Sequence, residues 1–299
     1  MGAIRREIAG CDVDAHRPCI HKSAVSRGLA TAVPGYDFKS PRLYLDAPLA
    51  AGAEIALERP QAHYLSRVLR LKAGEAVLVF NGRDGEWQAS LAESGKRTVS
   101  LAVAAQTRPQ TKAPDLHYLF APLKSARLDY MVQKAVEMGV SRLQPVLTRY
   151  SQVARVNLQR MRANAVEAAE QCGILSLPEI GEPQPLASLI AQCEQKPEPG
   201  RWLIFCDEDA DAANPVTALQ ALPPQAPLAV LIGAEGGFAA DERAALLKLP
   251  RVARLSLGPR ILRADTAAVA ALAVVQSVLG DWRSSAISGS STACRCKQS

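Results

Sequence analysis

Two short runs of this chain, "RWLIFCDE" at 201–208 and "PLAVLIG" at 227–233, are apolar without alternation. A strand with one face in water alternates apolar and polar residues, whereas one covered on both faces does not. These runs therefore predict buried strands of a mostly parallel α/β sheet, and the neighbouring rhythm agrees. From residue 115, "LHYLFAP" reads as a strand and "RLQPVLT" as another. Between them, "SARLDYMVQKAVEMG" reads as a helix ended by Gly139, with Leu128, Met131, Val132, Ala135 and Val136 on one face. "NLQRMRANAVEAAEQCG" is a helix capped by Asn157 and closed near Gly173. "ADERAALLKL" is a helix with acids in its first turn, and "VARLSLG" is the last strand. The last helix, "DTAAVAALAVVQSVLGDW", is apolar nearly all round, which suits full burial or a subunit interface.

The sequence before this region has a different character. "RLYL", "EIAL", "AVLVF", "EWQASLA" and "TVSLAVA" are short strands, with a hairpin turning at "NGRDG". "PQAHYLSRVLRL" among them reads as a helix opened by Pro60. Short strands in this number close into a small barrel. The expected organisation is an extension at 1–40, a β domain at 41–105, a linker at 106–114, an α/β domain at 115–283 and a tail at 284–299. The extension and the tail read as disordered, or the extension as sequence upstream of the true start. A transit peptide fits less well, because Glu7, Asp12, Asp14 and Asp37 break the acid-poor pattern.

The 299 residues carry a net charge of +6, unevenly spread. Residues 105–173 hold ten basic and five acidic side chains, and residues 174–283 hold nine and thirteen. Such asymmetry marks either a polyanion-binding face or a solvated one. Seven scattered cysteines show no framework spacing, which fits a reducing cytosol, and Cys294 and Cys296 are too close for a zinc site. The longest apolar run near the end, 267–275, is about half a membrane span, so no membrane partner is expected. The four histidines, at 16, 21, 63 and 117, do not cluster, so no metal is expected either. The chain has no dinucleotide G-x-G-x-x-G, no P-loop, no G-x-S-x-G and no H-E-x-x-H.

In open α/β sheets, ligands bind beyond the carboxyl ends of strands. Three strand ends have suggestive loops here: Asp207-Glu208 after 202–206, Gly233-Ala234-Glu235-Gly236-Gly237 after 228–232, and Gly258-Pro259-Arg260 onward after 252–257. Glycines let main chain approach a ligand closely.

Five segments in order, "RVLRLKAGE", "KAVEMGV", "EAAEQCG…LPEI", "LIGAEGGF…E" and "LSLGPRILRADTA", resemble those of the bacterial 16S ribosomal RNA (uracil-N3) methyltransferases, of the SPOUT or trefoil-knot class. The resemblance spans residues 41–283. It implies a PUA-like β-barrel for RNA, then a SPOUT α/β domain with a C-terminal trefoil knot. It also implies a cytoplasmic homodimer with its active site near the interface, acting on 16S rRNA, in the assembled small ribosomal subunit. S-adenosyl-L-methionine (AdoMet) would be held in the knot by the three loops singled out above. The implied contacts are Phe205 and Cys206 from the first strand end, and Ile232, Gly233, Ala234, Glu235 and Gly236 from the second. Leu255, Ser256, Leu257, Gly258, Ile261 and Leu262 follow from the third, then Thr266 and Ala267 from the last helix. The family usually has Pro at Ala234, Glu at Asp265, Arg at Ile174, His at Tyr64 and Leu at Met138. Ile174 removes a positive group that could touch RNA, and a factor of the same fold without methyl-donor activity is the rival reading. A small-molecule α/β enzyme is a second rival.

Uracil N3 carries a proton and is a poor nucleophile until that proton leaves, when charge spreads onto O2 and O4. A cation placed beside those oxygens stabilises the transition state. Arg263, in the third loop, is the candidate for that role. Glu235, or less favourably Asp265, is the candidate for taking the proton. Thr266 is a ligand contact or a helix cap. The RNA-contact candidates are Arg67, Arg70 and Lys72 in the β domain, and Lys124, Arg127, Lys134 and Arg149 in the basic segment. Tyr130, Arg155, Arg160 and Arg162 lie beside the latter.

Overall fold

The computed structural model describes residues 40–94, 98–153, 155–195, 200–210 and 214–283. The expected extension, apart from Ser40, and the expected tail lie outside the described residues.

The chain begins with β1 (Arg42–Tyr44), β2 (Glu54–Ala56), the short helix α1 (Arg59–His63) and one π-helical turn over Tyr64–Val68. β3 (Ala76–Phe80), β4 (Glu86–Ser94) and β5 (Thr98–Arg108) complete a five-stranded sheet in the order β1-β3-β4-β5-β2. Strands in all parts of this sheet send side chains to one core: Leu43, Ile55, Val77, Val79, Ala89, Leu91, Leu101 and Val103. A sheet whose two edges both face one core must curl, and this curled sheet is the PUA-like unit.

The single helix expected at 60–71 is replaced by α1 and the π turn. The Leu69 N–H bonds the Tyr64 carbonyl at 2.9 Å, and the Leu71 N–H bonds that of Leu65 at 2.9 Å. A straight α-helix would carry Leu71 about two-thirds of a turn away from Leu65. The wider turn lets Leu65, Leu69 and Leu71 all reach the small core. β5 also runs three residues into the segment read as linker. Its end is held by Glu86, which is buried between Arg42 and Arg108 and accepts from the Thr107 hydroxyl.

The second sheet is parallel. It is built from β6 (Leu116–Phe120), β7 (Arg142–Leu147), β8 (Glu179–Ile180), β9 (Gln184–Pro185), β10 (Trp202–Cys206), β11 (Leu228–Ile232) and β12 (Val252–Leu255), in the order β12-β10-β11-β6-β7-β8 with β9 also on β7. Its helices are α2 (Ser125–Glu137), α3 (Leu158–Cys172), α4 (Leu186–Gln195), α5 (Pro215–Gln220), α6 (Ala240–Leu247) and α7 (Ala264–Val278). The unalternating strands now have their explanation. Leu228, Val230 and Ile232 of β11 face a core shared with α2, α3, α5 and α7, while Ala229 and Leu231 face a second core under α4 and α6.

The expected caps are present: the Asn157 carboxamide accepts from the Arg160 N–H at 3.0 Å, and Gly173 closes α3. The helices α4 and α5 and the two-residue strands β8 and β9 were not anticipated. The two sheets meet through Phe80 and Tyr44, which pack on the larger core, and through the Tyr44 N–H, which donates to the Glu170 carboxylate at 2.8 Å. No helix among the described residues is long and apolar enough to cross a membrane.

Candidate active site

β10, β11 and β12 are neighbours in the sheet, so their carboxyl ends fall side by side. The chain crosses from β11 over β10 to reach β12. The three loops that leave these ends enclose a cleft of about 320 Å³.

Each loop contributes a different surface. After β10, Cys206, Asp207, Glu208 and Asp209 line one side. Asp207 is only 5% exposed and is gripped by two guanidiniums. Arg243 of α6 donates from Nε to Oδ1 and from Nη2 to Oδ2, both at 3.0 Å, and Arg254 of β12 donates from Nε to Oδ2 at 2.9 Å. Burial opposes ionisation of Asp207, but the Arg243 bonds, the Asp209 N–H and Arg254 outweigh it and hold the carboxyl below its ordinary value. This network ties the first loop to α6 and to β12. Burial pushes the Cys206 thiol up to about 12, so it stays protonated at neutral pH and is not a nucleophile.

After β11, Gly233, Ala234, Glu235 and Gly237 line the cleft. The turn is closed by the Gly237 N–H donating to the Ala234 carbonyl at 2.9 Å. Its sequence is required in two places. A Cβ at Gly233 would lie 2.7 Å from the Phe238 ring. Gly237 has φ +68°, and a Cβ there would lie 2.2 Å from the Glu208 carboxylate. Phe238 in turn packs edge-on against Phe205, with ring centroids 5.1 Å apart. After β12, Leu255, Ser256, Leu257, Gly258, Ile261 and Leu262 complete the wall, with Ala267 from α7.

Most of the expected cofactor contacts thus lie on one cleft, but three of them, Phe205, Gly236 and Thr266, lie differently, as does the candidate catalytic Arg263. Phe205 is fully buried and supports Phe238 from beneath. Gly236 points away from the cleft, towards Tyr150. Thr266 is exposed in the first turn of α7 and is not its cap. Arg263 occupies the cap position, its carbonyl accepting from the Ala267 N–H at 2.7 Å, and its side chain is exposed at the end of the third loop. Asp265 accepts from the Thr266 N–H at 2.9 Å.

Glu235 meets an unexpected partner. Arg127 of α2 donates to it from Nη1 at 2.7 Å, across 108 residues of chain. Other expected RNA contacts are paired as well: Lys134 with Glu137, Arg149 with Asp241, and Arg160 with Asp129. Arg67, Arg70, Lys72 and Lys124 are exposed, and the Lys72 main-chain N–H donates to the Glu75 carboxylate at 2.9 Å. Arg70 holds φ +56°, a strained value for a residue with a side chain. Ile174 packs against the main core, so this chain uses the position for packing rather than for charge.

Arg243, Arg254 and Phe238 were not singled out from sequence. The first of three acids directly after a fully apolar strand was the available signal, since a carboxylate buried there requires a cation. Nothing in the spacing said which arginine would supply it. Among the described residues, no group of three or more His, Cys, Asp or Glu is placed to hold a metal ion.

The fold defines an α/β protein with a cleft built from three strand-end loops, preceded by a small curled β unit. A family model for an RNA methyltransferase domain matches residues 110–276, and one for an RNA methyltransferase PUA domain matches residues 57–103. A ribosomal RNA small subunit methyltransferase E from Rickettsia conorii is 30% identical over 237 residues, 79% of this chain and 94% of the relative. The relative of the same name from Synechocystis is 28% identical, covering 76% of this chain and 74% of its own length. The chain belongs to the RNA methyltransferase family that includes the ribosomal RNA small subunit methyltransferase E proteins. Among solved structures, a Legionella pneumophila protein in complex with the bound cofactor SAM superposes with TM-score 0.68 at 28% identity, over 80% of this chain and 98% of that one. A methyltransferase E from Neisseria gonorrhoeae bound to S-adenosyl methionine shares the fold, with TM-score 0.70 at 24% identity over 80% and 97%.

Proposed function

We propose that this protein transfers a methyl group from AdoMet to N3 of one uridine in 16S rRNA, within the assembled small subunit. The carrying observation is the glycine cradle. The Gly233–Gly237 turn and the loop through Gly258 face one cleft with an apolar wall, and side chains at Gly233 or Gly237 would collide with Phe238 or Glu208. Main chain lined with such glycines suits a ligand read by backbone groups, and of the acids on the cleft the exposed Glu208 and Asp209 are the ones placed to complement a cationic sulfonium, since Asp207 and Glu235 are already paired with arginines. AdoMet, when bound, supplies an activated methyl, so the protein's work is orientation, worth up to ~7–11 kcal/mol in the best cases.

In this reading the expected contacts that line the cleft hold AdoMet, Phe205 acts through Phe238, and Gly236 and Thr266 lie outside the contact set. Arg263 steadies the negative charge that develops on O2 and O4. Glu235 takes the N3 proton, directly or through water, while Arg127 orients its carboxylate. The curled sheet and the basic segment 105–173 form the RNA-binding units, and the third loop threads as a trefoil knot. The protein acts in the cytoplasm as a homodimer; Ile261, 99% exposed on the third loop, and the exposed Trp282 just beyond α7 support a second copy there.

The test is mass mapping of small-subunit RNA from cells lacking the gene, with and without complementation. The proposal expects one N3-methyluridine to vanish and return. An unchanged modification pattern contradicts it. A pattern unchanged together with RNA binding but no AdoMet binding would favour the donor-free assembly factor.

A further inference from the structure

Tyr150 is 47% exposed, one of few large apolar side chains on the described surface, and it follows β7 rather than any of the three cleft loops. It is seated on one of those loops nevertheless. A Cβ at Gly236 would lie 3.2 Å from Tyr150 Cβ and 3.5 Å from its Cγ. The ring therefore rises from the outer side of the turn whose inner side lines the cleft.

The backbone beneath it is pinned. The Arg149 N–H donates to the Glu242 carboxylate at 2.8 Å, the Arg149 guanidinium donates to Asp241, and the Thr148 N–H donates to the Ser151 hydroxyl at 2.9 Å. An aromatic ring fixed at its base and half open to water has given up most of its freedom before any ligand arrives. That lowers the entropy cost of binding a flat partner. The surroundings specify the partner's charge. Arg127 bonds Glu235 on the same turn, the exposed Lys124 lies one helical turn before it, and Tyr130 lies one turn after, its ring 5.6 Å from the Lys134 ammonium.

We propose that Tyr150 is a base-stacking platform for the nucleotide that flanks the reacting uridine. This rests on the reading of RNA as substrate. A base on the outer face of the turn is separated from the cleft by the thickness of one main chain, which suits a neighbour of the base held within. Stacking tolerates any base because every base has a π-face, so Tyr150 fixes position rather than reading sequence. Arg127 and Lys124 take the adjoining phosphates.

The alternative is that Tyr150 only braces the glycine turn. Tyr150→Leu keeps apolar bulk against Gly236 but removes the ring, and Tyr150→Phe keeps the ring. The probe is small subunits from cells lacking the gene, with KM and direct binding read for the subunits and affinity read for AdoMet. The Phe variant is expected to match wild type. The Leu variant is expected to bind subunits roughly ten- to hundred-fold more weakly, with KM raised in proportion and AdoMet affinity unchanged. Subunit binding by the Leu variant equal to wild type overturns the proposal, as does a loss of AdoMet affinity that matches the loss for subunits. If the wild type methylates nothing, the reading of the reaction falls, while subunit binding still decides the role of Tyr150.

Discussion

Arg263 and Asp207 show two ways a residue can serve this cleft. Arg263 is exposed, capping α7 at the end of the third loop, so its removal leaves the cleft walls in place. Arg263→Ala is expected to bind AdoMet as wild type does and to lose methylation by about 100-fold or more, the scale of removing one donor to a developing oxyanion. A single-turnover assay at saturating AdoMet checks this, and a wild-type rate would remove Arg263 from the reaction. Asp207 is structural by contrast. Asp207→Ala leaves Arg243 and Arg254 facing each other without their shared carboxylate. Both arginines keep some water, so the cost falls at the low end for a broken buried pair, about 3 kcal/mol. Urea unfolding measures it, and a variant as stable as wild type would show that the network does not hold the loop.

At the scale of elements, legibility followed periodicity. The apolar face of α2 was readable because five residues at helical spacing had no other common feature, and all five are buried. The strands β10 and β11 were readable because nothing but burial on both faces explains their composition. The helices α4 and α5 were missed. α5 is six residues long, too short for a period to establish itself, and α4 follows a proline-broken stretch that reads as loop. The π turn was missed because its cause is tertiary: Leu71 must reach a core that sequence spacing does not reveal. The glycines of the second and third strand ends mark them in the sequence, but that the three ends meet at one cleft depends on β10 lying between β12 and β11, which is topology. The second loop gives the sharpest element-scale prediction. Gly237→Ala adds a Cβ at positive φ, costing about 1–2 kcal/mol in backbone terms, and sets it against Glu208. Either the Glu208 carboxylate swings aside or the strained turn shifts, and since both line the cleft AdoMet affinity is expected to fall at least ten-fold while the far-UV spectrum stays unchanged.

For the whole molecule, charge decides both stability and association. Glu86 is buried where β5 ends, and Arg108 reaches on from it to the Gly173 carbonyl at 2.9 Å, so one network ties the first sheet to the end of α3. Burial opposes ionisation of Glu86, but Arg108, Thr107 and Arg42 hold its pKa below the ordinary value, as Arg243 and Arg254 do for Asp207. A carboxyl with a lowered folded pKa binds fewer protons folded than unfolded. Its stabilisation is therefore complete above the unfolded carboxyl value of about 4 and is lost as pH falls through the folded one. Thermal stability is expected to drop steeply below about pH 4, and less steeply in Glu86→Gln. Association with RNA should weaken with salt. Removing Lys124 and Arg67 together is expected to flatten the log–log salt slope by about 1.4–1.8, at roughly 0.7–0.9 per phosphate contact. An unchanged slope would place the RNA elsewhere.

The central claim is that three turns at the ends of β10, β11 and β12 hold the methyl donor. Calorimetric titration of the protein with AdoMet tests that claim directly, with Gly237→Ala as the matched variant. One site per chain in the wild type, weakened in the folded variant, is the predicted result. No binding by the folded wild type, or equal binding by both, would contradict it.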